Sequence, residues 1–360
     1  MKKKYIGIFA LLLIWASLVL AAWFGPARDI SVAERRPLEQ MPELTWKNIS
    51  SGRFMTDFEE YTLDQFPLRD TFRSLKALHH RYVLAQGDNN GVYIADGHVA
   101  ELAYPLDTES VDHALKQFNT VYDLYLQDAG KILVTVVPDK SYYLAKEKGY
   151  PSMDYEELFA MVQEATPWGD YVDITGTLTL DDYYYTDTHW KQENLLGVAE
   201  LLADKLDVTV ATEYTQTSLE KPFYGVYTGQ AALPLQPDTL TVLENDLLNG
   251  CRVYNYTTDG YSAVYDMSRL DGHDLYEVYL SGAQSMLRIE NPNASTDREL
   301  VIFRDSYGSS LAPLLVQDYA AVTLLDIRYI IPQMLGRYVD FTGKDVLFMY
   351  SSLVLNKKLI

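Results

Sequence analysis

The chain opens on an uninterrupted apolar run, YIGIFALLLIWASLVLAAWF, from Tyr5 to Phe24, with Lys2, Lys3 and Lys4 before it. About 20 such residues in a helix match the ~30 Å hydrocarbon core of a bilayer. Flanking lysines stay on the cytoplasmic side. The run exceeds the ~7–15-residue core of a cleaved signal peptide, and no Ala-x-Ala site closes it. Residues 1–25 therefore predict a signal anchor, with the rest of the chain facing outward. Residues 26–50 carry prolines and charges without periodicity and read as a juxtamembrane linker. From residue 51 the pattern becomes that of a folded domain running to 360. Phe54, Phe58, Tyr61 and Leu63 suggest one helix, which Pro67 breaks. Phe72, Leu75, Leu78 and Tyr82 recur at helical spacing in a second. NNGVYIADGHVAEL reads as a hairpin turning at Asp96-Gly97.

Beyond residue 107 helices and strands alternate. Ser110 to Gln127 places Val111, Leu115, Phe118 and Val121 on one face. KILVTVVP (131–138) is a continuous apolar strand of the kind covered on both faces. Helices follow over 154–165 and from Lys191 to Leu206. Residues 207–295 are rich in Thr, Tyr and Gly, in short alternating runs, and read as a β-rich insertion. LVIFRDSYGSSLAPLLVQDYAAVTLLDI then gives strand, turn, helix and strand, and KDVLFMYSS one more buried strand. This alternation predicts an α/β fold with a mostly parallel sheet.

Composition narrows the chemistry. The formal net charge of −20 repels phosphate backbones, which argues against nucleic acid as a partner. Cys251 is the only cysteine, so internal disulfides and cysteine-based metal clusters are excluded. A cysteine-poor domain facing outward fits a Gram-positive surface. The 29 tyrosines can line a sugar-binding groove, since each ring is apolar and each hydroxyl hydrogen-bonds; a compositional habit would produce the same count.

Two short motifs can carry chemistry. In Arg304-Asp305-Ser306-Tyr307-Gly308, an apolar strand runs into a turn and a helix. A serine there sits at the carboxyl edge of a parallel sheet, where such folds place their sites. Helix-start amides can stabilise an oxyanion. The bland alternative is that Asp305 or Ser306 only caps the helix. The second motif is Asp187-Thr188-His189-Trp190. A serine needs a positioned base, and a carboxylate behind a histidine holds its tautomer. The phrase equally suits a capping turn, in which Asp187 bonds local amides. A metal reading through Asp181, Asp182, Asp187 and His189 lacks the further nitrogen or sulfur ligands that zinc sites use, and no cofactor is called for.

Taken together, Asp187-Thr188-His189-Trp190 and Arg304-Asp305-Ser306-Tyr307-Gly308 resemble the bacterial family named for its Asp-His-His-Trp (DHHW) motif. That family is similar to the alginate O-acetyltransferases, which use an SGNH-hydrolase-like fold. RRPLEQMPEL, DFEEYTLDQFPLRD, VPDKSYY and VTLLDIRY support the resemblance across most of the exported region. Thr188 stands where the family has its second histidine, and Tyr307 where phenylalanine is common. The resemblance implies a three-layer SGNH-hydrolase-like sandwich with Ser306 as nucleophile, His189 as base and Asp187 as its orienting acid. Trp190, Tyr185, Tyr307 and Arg328 become candidates for binding substrate, and Gly308 and Asn356 for the oxyanion hole. Lys140, like Arg328, lies at a strand end, where an ordinary surface role also fits. The implied activity is a membrane-anchored, extracytoplasmic O-acyltransferase or esterase acting on acetyl groups of a cell-envelope or exported polysaccharide. A membrane-bound acyltransferase partner would supply the acyl group. A non-catalytic polysaccharide-binding or assembly factor on the same fold is the alternative.

Overall fold

The apolar runs of the second half pair into one sheet. In the computed structural model, which describes residues 2–360, the chain divides into two compact units. Residues 1–90 and 228–235 form the first, and residues 91–227 and 236–360 the second. The boundary falls inside the stretch read from sequence as one domain.

In the first unit, α1 (Lys2–Phe24) contains the apolar run, and α2 (Arg53–Asp64) and α3 (Arg69–Tyr82) follow it. Tyr5–Phe24 is long and apolar enough to cross a membrane, by length and composition. The linker that follows is ordered rather than loose. The Arg36 guanidinium grips both Asp64 oxygens, at 2.6 and 2.7 Å. That pair holds the Asp64 carboxyl down to about 2. The Gln65 side chain closes the same region onto the Arg28 backbone in both directions, at 2.8 and 2.9 Å.

The second unit opens on the expected hairpin, β1 (Val92–Ala95) against β2 (His98–Glu101). Its turn residues Asp96 and Gly97 both have positive φ, +48° and +82°, the mirror-image turn that matches strand twist. Next come α4 (Thr108–Tyr125), β3 (Ile132–Val137), α5 (Lys140–Lys148), α6 (Tyr155–Ala165) and β4 (Asp170–Tyr171). Helix α7 (Leu196–Leu206) precedes a small antiparallel pair, β5 (Thr215–Ser218) and β6 (Thr241–Glu244). The remaining strands are β7 (Arg252–Asn255), β8 (Gly260–Ser262), β9 (Met286–Glu290), β10 (Glu299–Arg304), β11 (Ala321–Leu325) and β12 (Asp345–Ser351).

The main sheet has eight strands in the order β8-β7-β9-β11-β10-β12-β3-β4. The run from β11 to β4 is parallel throughout. The antiparallel extension β9-β7-β8 comes from the segment read as an insertion. That segment therefore widens the main sheet instead of standing apart, and its short alternating runs are the local signature of antiparallel pairing.

Period-two alternation explains why both faces are covered. Leu133, Leu300, Ile302, Leu347 and Met349 face one core, shared with Val198, Leu202 and Leu206 of α7. Val134, Val136, Val301, Phe303, Val346 and Phe348 face the other, with Val111, Phe118 and Leu158 of α4 and α6. The result is three layers, helix, sheet and helix. The helix expected after Ser306 is shorter than its pattern suggested: α8 covers Gly308–Leu311 and passes into a 3₁₀ turn over Ala312–Leu315. Pro313 lacks the N–H that a continuing helix needs.

Candidate functional site

Ser306 lies just past β10, in the turn leading into α8. Two bonds from one carboxylate fix that turn. Asp305 Oδ1 accepts from the Tyr307 amide (3.0 Å), and Oδ2 accepts from the Ser351 amide at the end of β12 (2.8 Å). Asp305 is completely buried, so it is a clamp on the serine turn and not a surface cap. Ser306 itself is half-buried.

The Asp187-His189 turn is held from the other side. Asp238 accepts from the amides of Tyr185 (2.7 Å) and Thr186 (2.8 Å) and from the Thr186 hydroxyl (2.6 Å). An isolated antiparallel bridge joins Tyr183 to Trp190, closing residues 184–189 into a tight bent loop.

The two turns meet. Ser306 Oγ lies 2.7 Å from His189 Nε2, and His189 Nδ1 lies 2.6 Å from Asp187 Oδ1. An ionised carboxylate only accepts, so Nδ1 carries the hydrogen and Nε2 is left to accept from the serine hydroxyl. The His189 amide also donates to Asp187 Oδ1 (3.1 Å), and the Val226 amide to Oδ2 (2.9 Å). At Gly225 the backbone passes so close that an added Cβ would sit 2.4 Å from the Asp187 Cα and N.

Tyr276 stacks flat on the His189 ring, centroids 3.8 Å apart at 6°, and Tyr307 packs against it at 4.9 Å. The Tyr276 hydroxyl shares Ser310 Oγ (2.8 Å) with the Trp190 indole N–H (3.0 Å). Burial pushes the Tyr276 and Tyr307 hydroxyls well above the usual tyrosine range, so both stay neutral.

Trp190 is fully buried and Tyr307 nearly so. Trp190 bonds the Tyr307 carbonyl, and the Tyr307 hydroxyl donates to the Thr188 carbonyl at 2.6 Å. Both are therefore buried behind the site, where these bonds brace it. Tyr185 is 44% exposed, with its ring 4.4 Å from His98. Arg328 is engaged by Asp326 at 2.6 and 2.9 Å. Gly308 N–H donates to the Asp305 carbonyl (3.2 Å). The Asn356 side chain joins the Asp107 amide (2.6 Å) to the Pro105 carbonyl (3.1 Å). The Gly308 N–H is thus already engaged, and one N–H of the Asn356 amide is held by Pro105. The Ser306 amide makes no hydrogen bond to protein among the described residues.

Lys140 is buried, not on the surface. Its ammonium donates to the Tyr184 and Tyr185 carbonyls (3.0 and 3.3 Å) and lies 4.9 Å over the Tyr227 ring. Burial pulls it down to about 7, against the opposing pull of Asp187, Asp238 and Asp139. Sequence reasoning gave Asp305 only a capping role, and missed Gly225, Tyr276 and Ser310 as parts of this site. Among the described residues no three His, Cys, Asp or Glu side chains converge as metal ligands.

The fold and this site define a mixed α/β protein with a mostly parallel sheet and an Asp-x-His-Trp turn facing a serine turn. The fold is similar to that of a DHHW family protein from Eubacterium siraeum. The TM-score is 0.59 at 22% identity, covering 75% of this chain and 93% of that one. Bacillus cereus PatB1, in a structure with a sulfonyl adduct, matches with a TM-score of 0.57 at 13% identity, over 74% of this chain and 98% of that one. The O-acetyltransferase domain of Pseudomonas putida AlgJ aligns at 0.47 and 13% identity, over 74% and 93%. No family model and no curated protein matches the sequence. The DHHW resemblance read from the two motifs is thus met at the level of the fold.

Proposed function

We propose that the chain is a serine O-acyltransferase or esterase on an SGNH-hydrolase-like fold. It is held to the cell membrane by Tyr5–Phe24, faces outward, and acts on acetyl groups of a cell-envelope or exported polysaccharide. The observation that carries the reading is the unbroken relay from Ser306 Oγ to His189 Nε2 and from His189 Nδ1 to Asp187. His189 takes the serine proton as Oγ bonds to the acyl carbon. The tetrahedral oxyanion collapses, the bond to the leaving group breaks, and His189 returns the proton to that group. An acceptor hydroxyl then repeats the sequence on the acyl-enzyme. A sugar hydroxyl makes this transfer, and water makes it hydrolysis. The Ser306 amide supplies one oxyanion donor. A membrane-bound acyltransferase is the partner that would deliver the acyl group from within.

The test uses the full chain in detergent. Wild type releases p-nitrophenol from p-nitrophenyl acetate, and a sulfonyl fluoride labels Ser306. Ser306→Ala does neither. Equal rates for wild type and Ser306→Ala, with no label on Ser306, would remove this reading.

A further inference from the structure

A groove lies along the same carboxyl edge of the sheet as Ser306, within the same compact unit. One hollow, of about 860 Å³, has Ser141 from the first turn of α5 in its floor and Tyr142, Tyr155 and Phe159 in its walls. Tyr104, Pro105 and Leu106 also line a second hollow, of about 570 Å³, bounded by Leu353 just after β12. The two hollows therefore adjoin at Tyr104, Pro105 and Leu106, and the trough is this adjoining pair.

Its place is set by the sheet. β12 lies beside β10, which carries Ser306, and β3 lies beside β12. The trough therefore lies to the β12–β3 side of the serine turn, at the same edge of the sheet. Hydrogen bonds tie the two rigidly. Asp305 holds the Ser351 amide, the Ser352 hydroxyl donates to Asp139 Oδ1 (2.8 Å), and the Tyr155 hydroxyl donates to the same oxygen (2.6 Å).

The lining has the chemistry of a sugar site. Tyr104 is 63% exposed at the rim, and Tyr142 and Phe159 are half-buried. Their faces suit the apolar faces of pyranose rings, while rim carboxylates accept from sugar hydroxyls. The charge is one-sided. Asp154, Glu156 and Glu157 face Lys146 in the first hollow. In the second, Glu101, Asp107 and Glu109 face Lys357, which is already paired with Glu101 at 2.6 Å. Such a trough repels uronates and phosphates at close range.

We infer that this trough holds the acceptor glycan beside Ser306, and that it selects a neutral or amine-bearing chain against a polyuronate or polyphosphate one. The inference rests on the acyl-transfer reading for its purpose, and on the trough alone for binding. The full chain in detergent is titrated with N-acetylglucosamine hexamer, glucosamine hexamer and oligomannuronate by calorimetry. The two hexosamine chains bind and the uronate does not. Tyr104→Ala, at an exposed position and with an unchanged circular dichroism spectrum as its folding control, weakens hexosamine binding about tenfold. Glu156→Lys with Glu157→Lys admits oligomannuronate. Oligomannuronate binding wild type as tightly as the hexosamines, no binding of any of the three, or full affinity in Tyr104→Ala would each overturn the inference. Ester hydrolysis is read separately. A chain that binds hexosamine through Tyr104 but cleaves no ester keeps the trough and loses the acyl-transfer reading.

Discussion

Gly225→Ala presses directly on the backbone of Asp187 and leaves the Ser306 and His189 side chains in place. The added Cβ would lie 2.4 Å from the Asp187 Cα and N, whereas ordinary contact begins at 3.4 Å. The obstruction is backbone, so Asp187 or the 225–226 segment must retreat by roughly 1 Å. Retreat also stretches the bond from the Val226 amide to Asp187 Oδ2 (2.9 Å). A misplacement of ~1 Å costs on the order of 10²-fold in rate, equivalent to about 2.7 kcal/mol in the barrier. Loss of the orienting acid altogether, in Asp187→Asn, costs on the order of 10⁴-fold. Gly225→Ala should therefore fall between wild type and Asp187→Asn in kcat for p-nitrophenyl acetate. Overpacking of this kind also lowers stability by about 1–3 kcal/mol, measurable by urea unfolding. The double variant Gly225→Ala, Asp187→Asn should be no slower than Asp187→Asn alone, because both act through one carboxylate. Wild-type kcat in Gly225→Ala, or full additivity in the double variant, would refute the reasoning.

Three further outcomes are expected. Tyr276→Leu removes the stacked face from His189 and lowers kcat about tenfold, while sulfonyl labelling of Ser306 slows in parallel; equal labelling rates would place Tyr276 outside the mechanism. Ser310→Ala leaves the buried Tyr276 hydroxyl without its partner and costs about 1–3 kcal/mol in denaturant unfolding; an unchanged midpoint argues against that network. Lys140 gives up its proton near pH 7 in the folded chain and near 10.4 when unfolded. Between those values the unfolded state binds more protons, so raising the pH favours the folded state. Wild type should gain stability from pH 7 to 9 relative to Lys140→Met, with parallel curves as the contrary result.

The parts of the site legible in the sequence are those built from short contiguous signals. An apolar strand followed by Asp-Ser-Tyr-Gly announces a strand-to-helix turn, and Asp-x-His is close enough in sequence for a local turn to pair the two side chains. Adjacency to the motif suggested substrate contact for Trp190, whose burial depends on partners such as Ser310 that lie far away in sequence. Tyr276 and Gly225 could not be found this way. Each reaches the site from a segment whose own pattern says nothing about Asp187 or His189, and only the tertiary pairing brings them there. The sheet divides along the same line. Buried apolar runs identified the parallel strands, but the attachment of Arg252–Asn255 and Met286–Glu290 to the sheet edge depends on partners that short alternating runs do not name.

The ring of His189 is wedged between Tyr276 and Tyr307 and tied at both nitrogens, so it has no room to swing between two positions. A base that cannot turn serves every proton transfer from one point in space. On the proposed acyl-transfer reading, the group that leaves during acylation and the hydroxyl that collects the acyl group must meet the base at that one point in succession. Ping-pong kinetics are then the expected form.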